Sequence, residues 1–239
     1  MKTRKSGFED YKKILPGSEL NLLAIDTSTS STVLGLKKDN VIIDYTVRDV
    51  RTHSREILQS ISSLLLEVEL SLSELDGIIF GQGPGSFTGL RITIGVVQGL
   101  AYGADLRVIP VSSMSVMAQA AVNDRSIVLV ALLARREEIY YGTYELKNGL
   151  AVATTAEGVR DITELDLELP DGCLLITDAP HLEGKISESL GVCFSEVSTQ
   201  TVPAVTDLLS LGLHKLNEGG SVSALEASPV YLREQVTTL

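Results

Sequence analysis

The stretch LNLLAIDTSTSSTVLGLKKDNVIIDYTV, residues 20–47, decides the fold. Leu22-Leu23-Ala24-Ile25 is an unbroken apolar run closed by Asp26. A short run of this kind reads as a central strand covered on both faces. Thr32 to Lys37 and Val41 to Val47 read as two more strands, with Lys38-Asp39-Asn40 as the hairpin turn between them. In the third strand Ile43, Tyr45 and Val47 alternate with Asp44, Thr46 and Arg48, so one face is wet. The chain therefore opens its fold on a three-stranded antiparallel meander.

The pattern then changes period. Ile57, Ile61, Leu64, Leu65 and Val68 recur at helical spacing and predict a helix over 54–69, with Ser54 as its N-cap. A short strand at 77–81, a glycine-rich loop at 83–86, a helix over 88–103 and a strand at 107–110 follow. The second half repeats the order. Strands at 127–134, 139–146 and 150–155 form a meander around Asn148-Gly149. A strand at 174–177, a helix at 182–190, a strand at 192–197 and a helix at 204–216 close it. The expected class is α/β: two ribonuclease-H-like halves, each a mixed sheet flanked by helices. Residues 1–19 are polar, broken by Pro16-Gly17, and read as an extension. The first subdomain is expected at 20–105 and the second at 106–239, with the C-terminal segment returning to the first.

Composition narrows the function classes. Of 239 residues, 44% are hydrophobic, which suits a chain that buries its own core. The formal net charge of −11 repels phosphate backbones and anionic membranes. No apolar run is long enough to cross a bilayer, and the charged N-terminus is no secretory signal. Cys173 and Cys193 carry no CxxC or CxxH spacing, so they read as unpaired thiols of a reducing compartment. These features predict a cytoplasmic protein. His53, His181 and His214 lie far apart with no metal-binding spacing, and no metal site is expected.

Three stretches could carry function. Asp26-Thr27-Ser28 ends the central strand, where open α/β sheets gather ligands. A carboxylate there can hold a metal and the turn can hold phosphate, or both can simply satisfy a tight turn. Gly83, Gly85, Ser86, Thr88 and Gly89 open the second helix, a place where backbone N–H groups attract anions; no Gly-Lys-Ser/Thr follows, so it is no P-loop. Equally, it is a glycine-rich turn capped by Ser86 or Thr88. Within that helix Gly95, Gly99 and Gly103 recur every fourth residue, each at a cost of about 0.8–1 kcal/mol relative to alanine. Such a stripe implies close packing against a neighbouring helix of the same domain or against a second protein. Leu58 and Leu66 lie outside the first helix's main apolar stripe and leave apolar surface to cover.

These residues resemble one family, TsaB, also called YeaZ. The match rests on Leu23-Ala24-Ile25-Asp26-Thr27-Ser28, His53-Ser54 and, above all, GPGSFTGLR at 83–91. Val111-Ser112-Ser113, Ala134-Arg135, Glu138-Ile139-Tyr140 and Pro229-Val230-Tyr231-Leu232-Arg233 agree with it. The resemblance implies an actin-like ATPase fold, related to sugar kinases and Hsp70, in a Gcp/Kae1-like superfamily where TsaB is an inactive homologue of TsaD. It implies a non-catalytic scaffold that binds TsaD as a heterodimer, with TsaE, in the complex that adds a threonylcarbamoyl group to the adenosine at position 37 of tRNAs reading ANN codons. It implies a helical partner interface on the first subdomain, taken here as Ile57, Leu58, Ile61, Leu65, Ile92, Gly95, Val96, Gly99 and Gly103, which pairs with a second copy when TsaD is absent. Asp26, Thr27, Ser28, Gly83, Gly85, Ser86, Thr88 and Gly89 would be a vestigial phosphate site. No cofactor is expected for the isolated chain, a nucleotide only at the boundary of the assembled complex, and tRNA only through that complex.

The residues support a scaffold independently. The strand at 128–134 carries no carboxylate, and Leu133 stands where the family commonly has Asp. With one acid and no paired histidines, stabilisation of a phosphoryl or carbamoyl transfer has no visible source. The competing reading is an enzyme: an ATP-hydrolysing protein using Asp26 and the 83–89 loop, or a protease acting on its TsaD partner. A direct tRNA binder would have to rely on Arg125, Arg135 and Arg136 against the overall charge.

Overall fold

The computed structural model describes residues 19–47, 53–121 and 127–232, with side chains of the first helix described from Glu56. The cap expected at Ser54, the role of His53, residues 1–18 of the extension and Arg125 fall outside that description.

The opening meander forms as β1 (Leu22–Asp26), β2 (Val33–Lys38) and β3 (Val41–Asp44), paired antiparallel. Then α1 (His53–Glu67) leads to β4 (Gly77–Gly81), α2 (Phe87–Ala104) and β5 (Arg107–Val111). Strand order in this sheet is β3-β2-β1-β4-β5, with β4 parallel to both β1 and β5. A helix the sequence pattern hides, α3 (Ser113–Ala121), crosses to the second sheet. There β6 (Val128–Arg135), β7 (Glu138–Lys147) and β8 (Leu150–Ala153) form the second meander, with β9 (Gly158–Asp161) also paired to β7. Finally β10 (Leu174–Thr177), α4 (Glu183–Leu190), β11 (Glu196–Ser198) and α5 (Val205–Asn217) complete the chain. The second order, β11-β10-β6-β7-β8, is the first one repeated: meander on one side, two parallel strands on the other. That duplication is the actin-like fold, with mixed sheets flanked by helices.

Each sheet buries both faces, so its strands alternate between two cores. Leu23, Ile25, Leu34, Ile78 and Phe80 meet Ile57, Ile61, Leu64 and Leu65 of α1 and Val97 of α2. The opposite face, with Leu22, Ala24, Val33, Ile79 and Ile109, meets Val205, Leu208 and Leu209 of α5. Burying each of these large side chains stabilises the fold by about 1.5–3 kcal/mol. Gly212 lets α5 lie flat on the sheet, since a Cβ there would stand 2.5 Å from Ile79. In the second lobe Met114 and Met117 of α3 cover one face, and Ile186 of α4 the other.

The lobes do not divide at residue 105. Strand β5 belongs to the first sheet, and α5, expected to finish the second half, packs on the first. Beyond it Val222 bridges to Val108, Ala224 and Ala227 enter the core under α2, and Gln98 Nε2 donates to the Ala227 carbonyl at 2.9 Å. The Val230 N–H then donates to the Gln82 carbonyl at 2.9 Å, while Leu232 packs on the second-lobe core. The C-terminal segment therefore ties the two lobes together.

Candidate functional site

The strand-end cluster is closed on itself. Asp26 is fully buried. Its Oδ1 accepts from the Ser28 N–H at 2.7 Å, and its Oδ2 from the Ser113 hydroxyl at 2.7 Å. Ser113 in turn accepts from the Ser28 hydroxyl and from the Gly83 N–H. Burial pushes the Asp26 carboxyl above the usual carboxylate range, against the pull of the bonds from Ser28 and Ser113. Thr27 is consumed as well: its hydroxyl donates to the Gly89 carbonyl at 2.7 Å and its N–H to Thr93 Oγ1 at 3.0 Å.

Two glycines of the 83–91 motif, Gly85 and Gly89, press against this turn, while Gly83 makes room for Leu90. A Cβ on Gly89 would lie 1.8 Å from the Thr27 carbonyl oxygen, and one on Gly85 would lie 2.5 Å from that of Ser28. The Ser86 N–H donates to the same Ser28 carbonyl at 2.7 Å, and Ser86 Oγ caps α2 by accepting from the Gly89 N–H. Thr88 points outward, exposed. A phosphate cradle needs free N–H groups around a concavity. Here the Thr27 and Ser28 carbonyl oxygens flank Gly89 and Gly85, and the nearest carboxylate is sealed by its own hydrogen bonds, so Asp26 does not fit a nucleotide's metal ion. No group of three or more His, Cys, Asp or Glu side chains converges among the described residues. At the matching strand end of the second lobe, Leu133 is partly exposed, and its N–H donates to Asp178 Oδ1 at 2.8 Å. The carboxylate at that end is thus supplied by Asp178, one residue beyond the neighbouring strand β10, which the reading of residues 128–134 missed.

The helical face is the opposite case. A methyl placed on Gly95, Gly99 or Gly103 would meet no atom of the described residues within 4 Å. Among the described residues, then, no neighbouring helix of the same domain, one of the two partners the stripe implied, packs against these glycines. Leu58 is 57% exposed and Leu66 80% exposed. With Leu70 and Leu100 they line a shallow groove of about 470 Å³ between α1 and α2. Of the residues expected at the interface, Ile57, Ile61 and Leu65 are buried in the chain's own core, because the main apolar stripe of α1 faces the sheet, and Ile61 and Leu65 also floor this groove. Ile92 and Val96 are half-buried, with their inner sides on that core. At one end of the stripe, Phe87 and Tyr231 are both more than half exposed, with ring centroids 6.2 Å apart. The Arg91 guanidinium sits 3.9 Å over the Phe87 ring. At the other end lie Tyr102 and Leu225, both exposed. Sequence reasoning missed these aromatics, although Phe87, Arg91, Gly95, Gly99 and Tyr102 share one face by helical spacing.

Known proteins share this architecture. Residues 48–213 match the sequence model of the family described as TsaD: tRNA N6-adenosine threonylcarbamoyltransferase. The tRNA threonylcarbamoyladenosine biosynthesis protein TsaB of Escherichia coli (strain K12) is 32% identical over 91% of this chain and 96% of its own length. TsaB of Haemophilus influenzae is also 32% identical, over 91% and 95%. A solved structure of YeaZ from Pseudomonas aeruginosa superposes with a TM-score of 0.80 at 31% identity, over 89% of this chain and 100% of that one. Topology and the matched model place the chain in the TsaD-like superfamily of actin-like proteins. The relatives that align along nearly their whole length narrow this further: the chain belongs to the TsaB family, also called YeaZ.

Proposed function

We propose that this chain is a non-catalytic scaffold that docks TsaD on the outer face of α1 and α2, within the machinery of tRNA threonylcarbamoyladenosine biosynthesis. The observation that carries the reading is the bare glycine stripe. Three glycines weaken α2 by about 0.8–1 kcal/mol each relative to alanine and leave open space where side chains would stand. Their use is to let another backbone approach closely. Leu58, Leu66 and the Phe87–Arg91–Tyr231 cluster border the stripe, and exposed aromatics and arginine are the residue types that anchor interfaces. TsaE joins the assembly formed around TsaD, and in the absence of TsaD a second copy of this chain covers the same face. With a net charge of −11, the chain meets tRNA through the complex rather than alone. The strand-end cluster, sealed by its own hydrogen bonds, serves as structure.

Gel filtration of the chain mixed with TsaD tests the docking. The natural chain is expected to co-elute with TsaD at equal stoichiometry, and Gly95→Leu with Gly99→Leu to elute apart while retaining the wild-type melting temperature or exceeding it. Co-elution of that variant removes the stripe from the interface. Calorimetric titration of the isolated chain with ATP and magnesium tests the scaffold role, and tight binding lost in Asp26→Asn would restore the enzyme reading.

A further inference from the structure

Strand β5 ends at Val111, and the two serines that follow bond to carboxylates of different lobes. Ser113 donates to Asp26 Oδ2 at the end of β1, in the first lobe. Ser112 donates to Glu157 Oε1, which lies between β8 and β9 of the second lobe. Ser112 itself is fixed to the first lobe on both sides. The Gln82 N–H donates to the Val111 carbonyl at 2.9 Å, and the Ser113 N–H donates to the Gly83 carbonyl at 2.9 Å. Its Oγ also accepts from the Ser115 N–H at 3.2 Å and so caps α3.

Glu157 is held just as firmly from the other side. Tyr144, fully buried in the middle of β7, donates its hydroxyl to the same Oε1 at 2.5 Å. Burial and the negative charge of Glu157 raise the Tyr144 phenol far above its ordinary value, so it remains a donor. Strand β7 leaves space for the pair at Gly142, where a Cβ would stand 2.8 Å from the Tyr144 hydroxyl and 3.2 Å from Glu157 Cγ. A carboxylate that receives one hydroxyl from its own lobe and another across the lobe boundary is a directional, charge-assisted connection. The other ties between the lobes include apolar packing of α3 and Leu232, which has no preferred direction and tolerates sliding.

We infer that Glu157 is a latch, with Ser112 as its keeper, that sets the angle between the two lobes. A notch of about 240 Å³ spans the boundary it controls, lined by Pro84, Phe87 and Leu90 of the first lobe, Tyr140 of the second, and Tyr231 and Leu232 of the C-terminal segment. The notch shares Phe87 and Tyr231 with the cluster at one end of the glycine stripe, so releasing the latch opens the notch and moves that end of the face, while the distance between the lobes reads the latch whatever docks there.

Distance measurement between spin labels on the full chain tests it. Labels go on Ser62→Cys in α1 and Glu188→Cys in α4, both exposed, with the exposed Cys193 replaced by serine. The natural latch is expected to give one narrow distance. Ser112→Asp keeps an acceptor for the Ser115 N–H but sets a second carboxylate against Glu157. It is expected to shift the mean by roughly 2 Å or more, the scale of hinge rearrangements, or to broaden the distribution. Adding Glu157→Gln removes the repulsion and is expected to restore the narrow distance. An unchanged distribution in a folded Ser112→Asp chain, or a shift that Glu157→Gln does not reverse, overturns the inference. Should Ser112→Asp fail to fold, Glu157→Ala with Tyr144→Phe removes the carboxylate and the buried phenol together and carries the same test: a broadened distance supports the latch and an unchanged one refutes it.

Discussion

Replacing Gly95 and Gly99 by alanine should make the isolated chain more stable. Both lie well inside α2 (Phe87–Ala104), and a methyl at either meets no atom of the described residues within 4 Å. Nothing is therefore lost in packing, and the helix gains the propensity difference of about 0.8–1 kcal/mol per site. The two sites are separate and open, so the pair should add to roughly 1.6–2 kcal/mol. For a chain of this size, 1 kcal/mol moves the melting temperature by about 2–4 °C. The double variant should thus melt roughly 3–8 °C higher. The assay is thermal unfolding followed by circular dichroism, at protein concentrations low enough to suppress self-association. The same variant should bind TsaD more weakly, since two methyls fill the channel that lets another helix approach. A gain in stability coupled to a loss of binding is the signature of glycines kept for a partner. A melting temperature unchanged or lowered would refute the reasoning, because it would mean that the stripe is covered within the chain.

Gly89→Ala, on the same helix, should act in the opposite direction. Its methyl would lie 1.8 Å from the Thr27 carbonyl oxygen and break the bonds joining Thr27 to Gly89 and Thr93, for a loss of about 3–5 kcal/mol and a melting temperature lower by on the order of 10 °C. Asp26→Asn should flatten the pH dependence of stability: the folded carboxyl binds its proton more tightly than the unfolded one, so the natural chain loses stability as pH rises from about 4 toward the raised value, and the variant does not. Urea unfolding at a series of pH values reads this, and an unchanged slope would count against Asp26 as its source. Leu58→Ser with Leu66→Ser should leave the isolated chain within about 0.5 kcal/mol per site, since both side chains are already exposed, yet weaken binding to TsaD at least tenfold by calorimetric titration. Equal affinity would remove α1 from the docking face.

Much of the first lobe was legible because its signals are local. The run at 22–26, the turn at 38–40 and the glycine-rich entry to α2 each announce themselves within a few residues. Helix α3 was not legible: SMSVMAQAA has little contrast between faces, since it packs against both α5 and the second sheet. Nor could periodicity say which sheet α5 would cover, because an apolar stripe shows that a face is buried, not against what. The burial of Ile57, Ile61 and Leu65 was not legible for the same reason: an apolar stripe satisfies equally well a core and a partner. Glu157 escaped notice because its partners Ser112 and Tyr144 are distant in sequence and only the fold brings them together.

The return of α5 to the first sheet has a consequence for how the chain is made. As the ribosome releases β1 through β5, it exposes a sheet with one apolar side, Leu22, Ala24, Val33, Ile79 and Ile109, that residues 205–217 will later cover. The nascent first lobe must wait, half clothed, while the entire second lobe is translated. Trigger-factor-like holding chaperones should engage it during that interval, and a stop codon placed just before α5 should yield aggregates rather than a shorter soluble product.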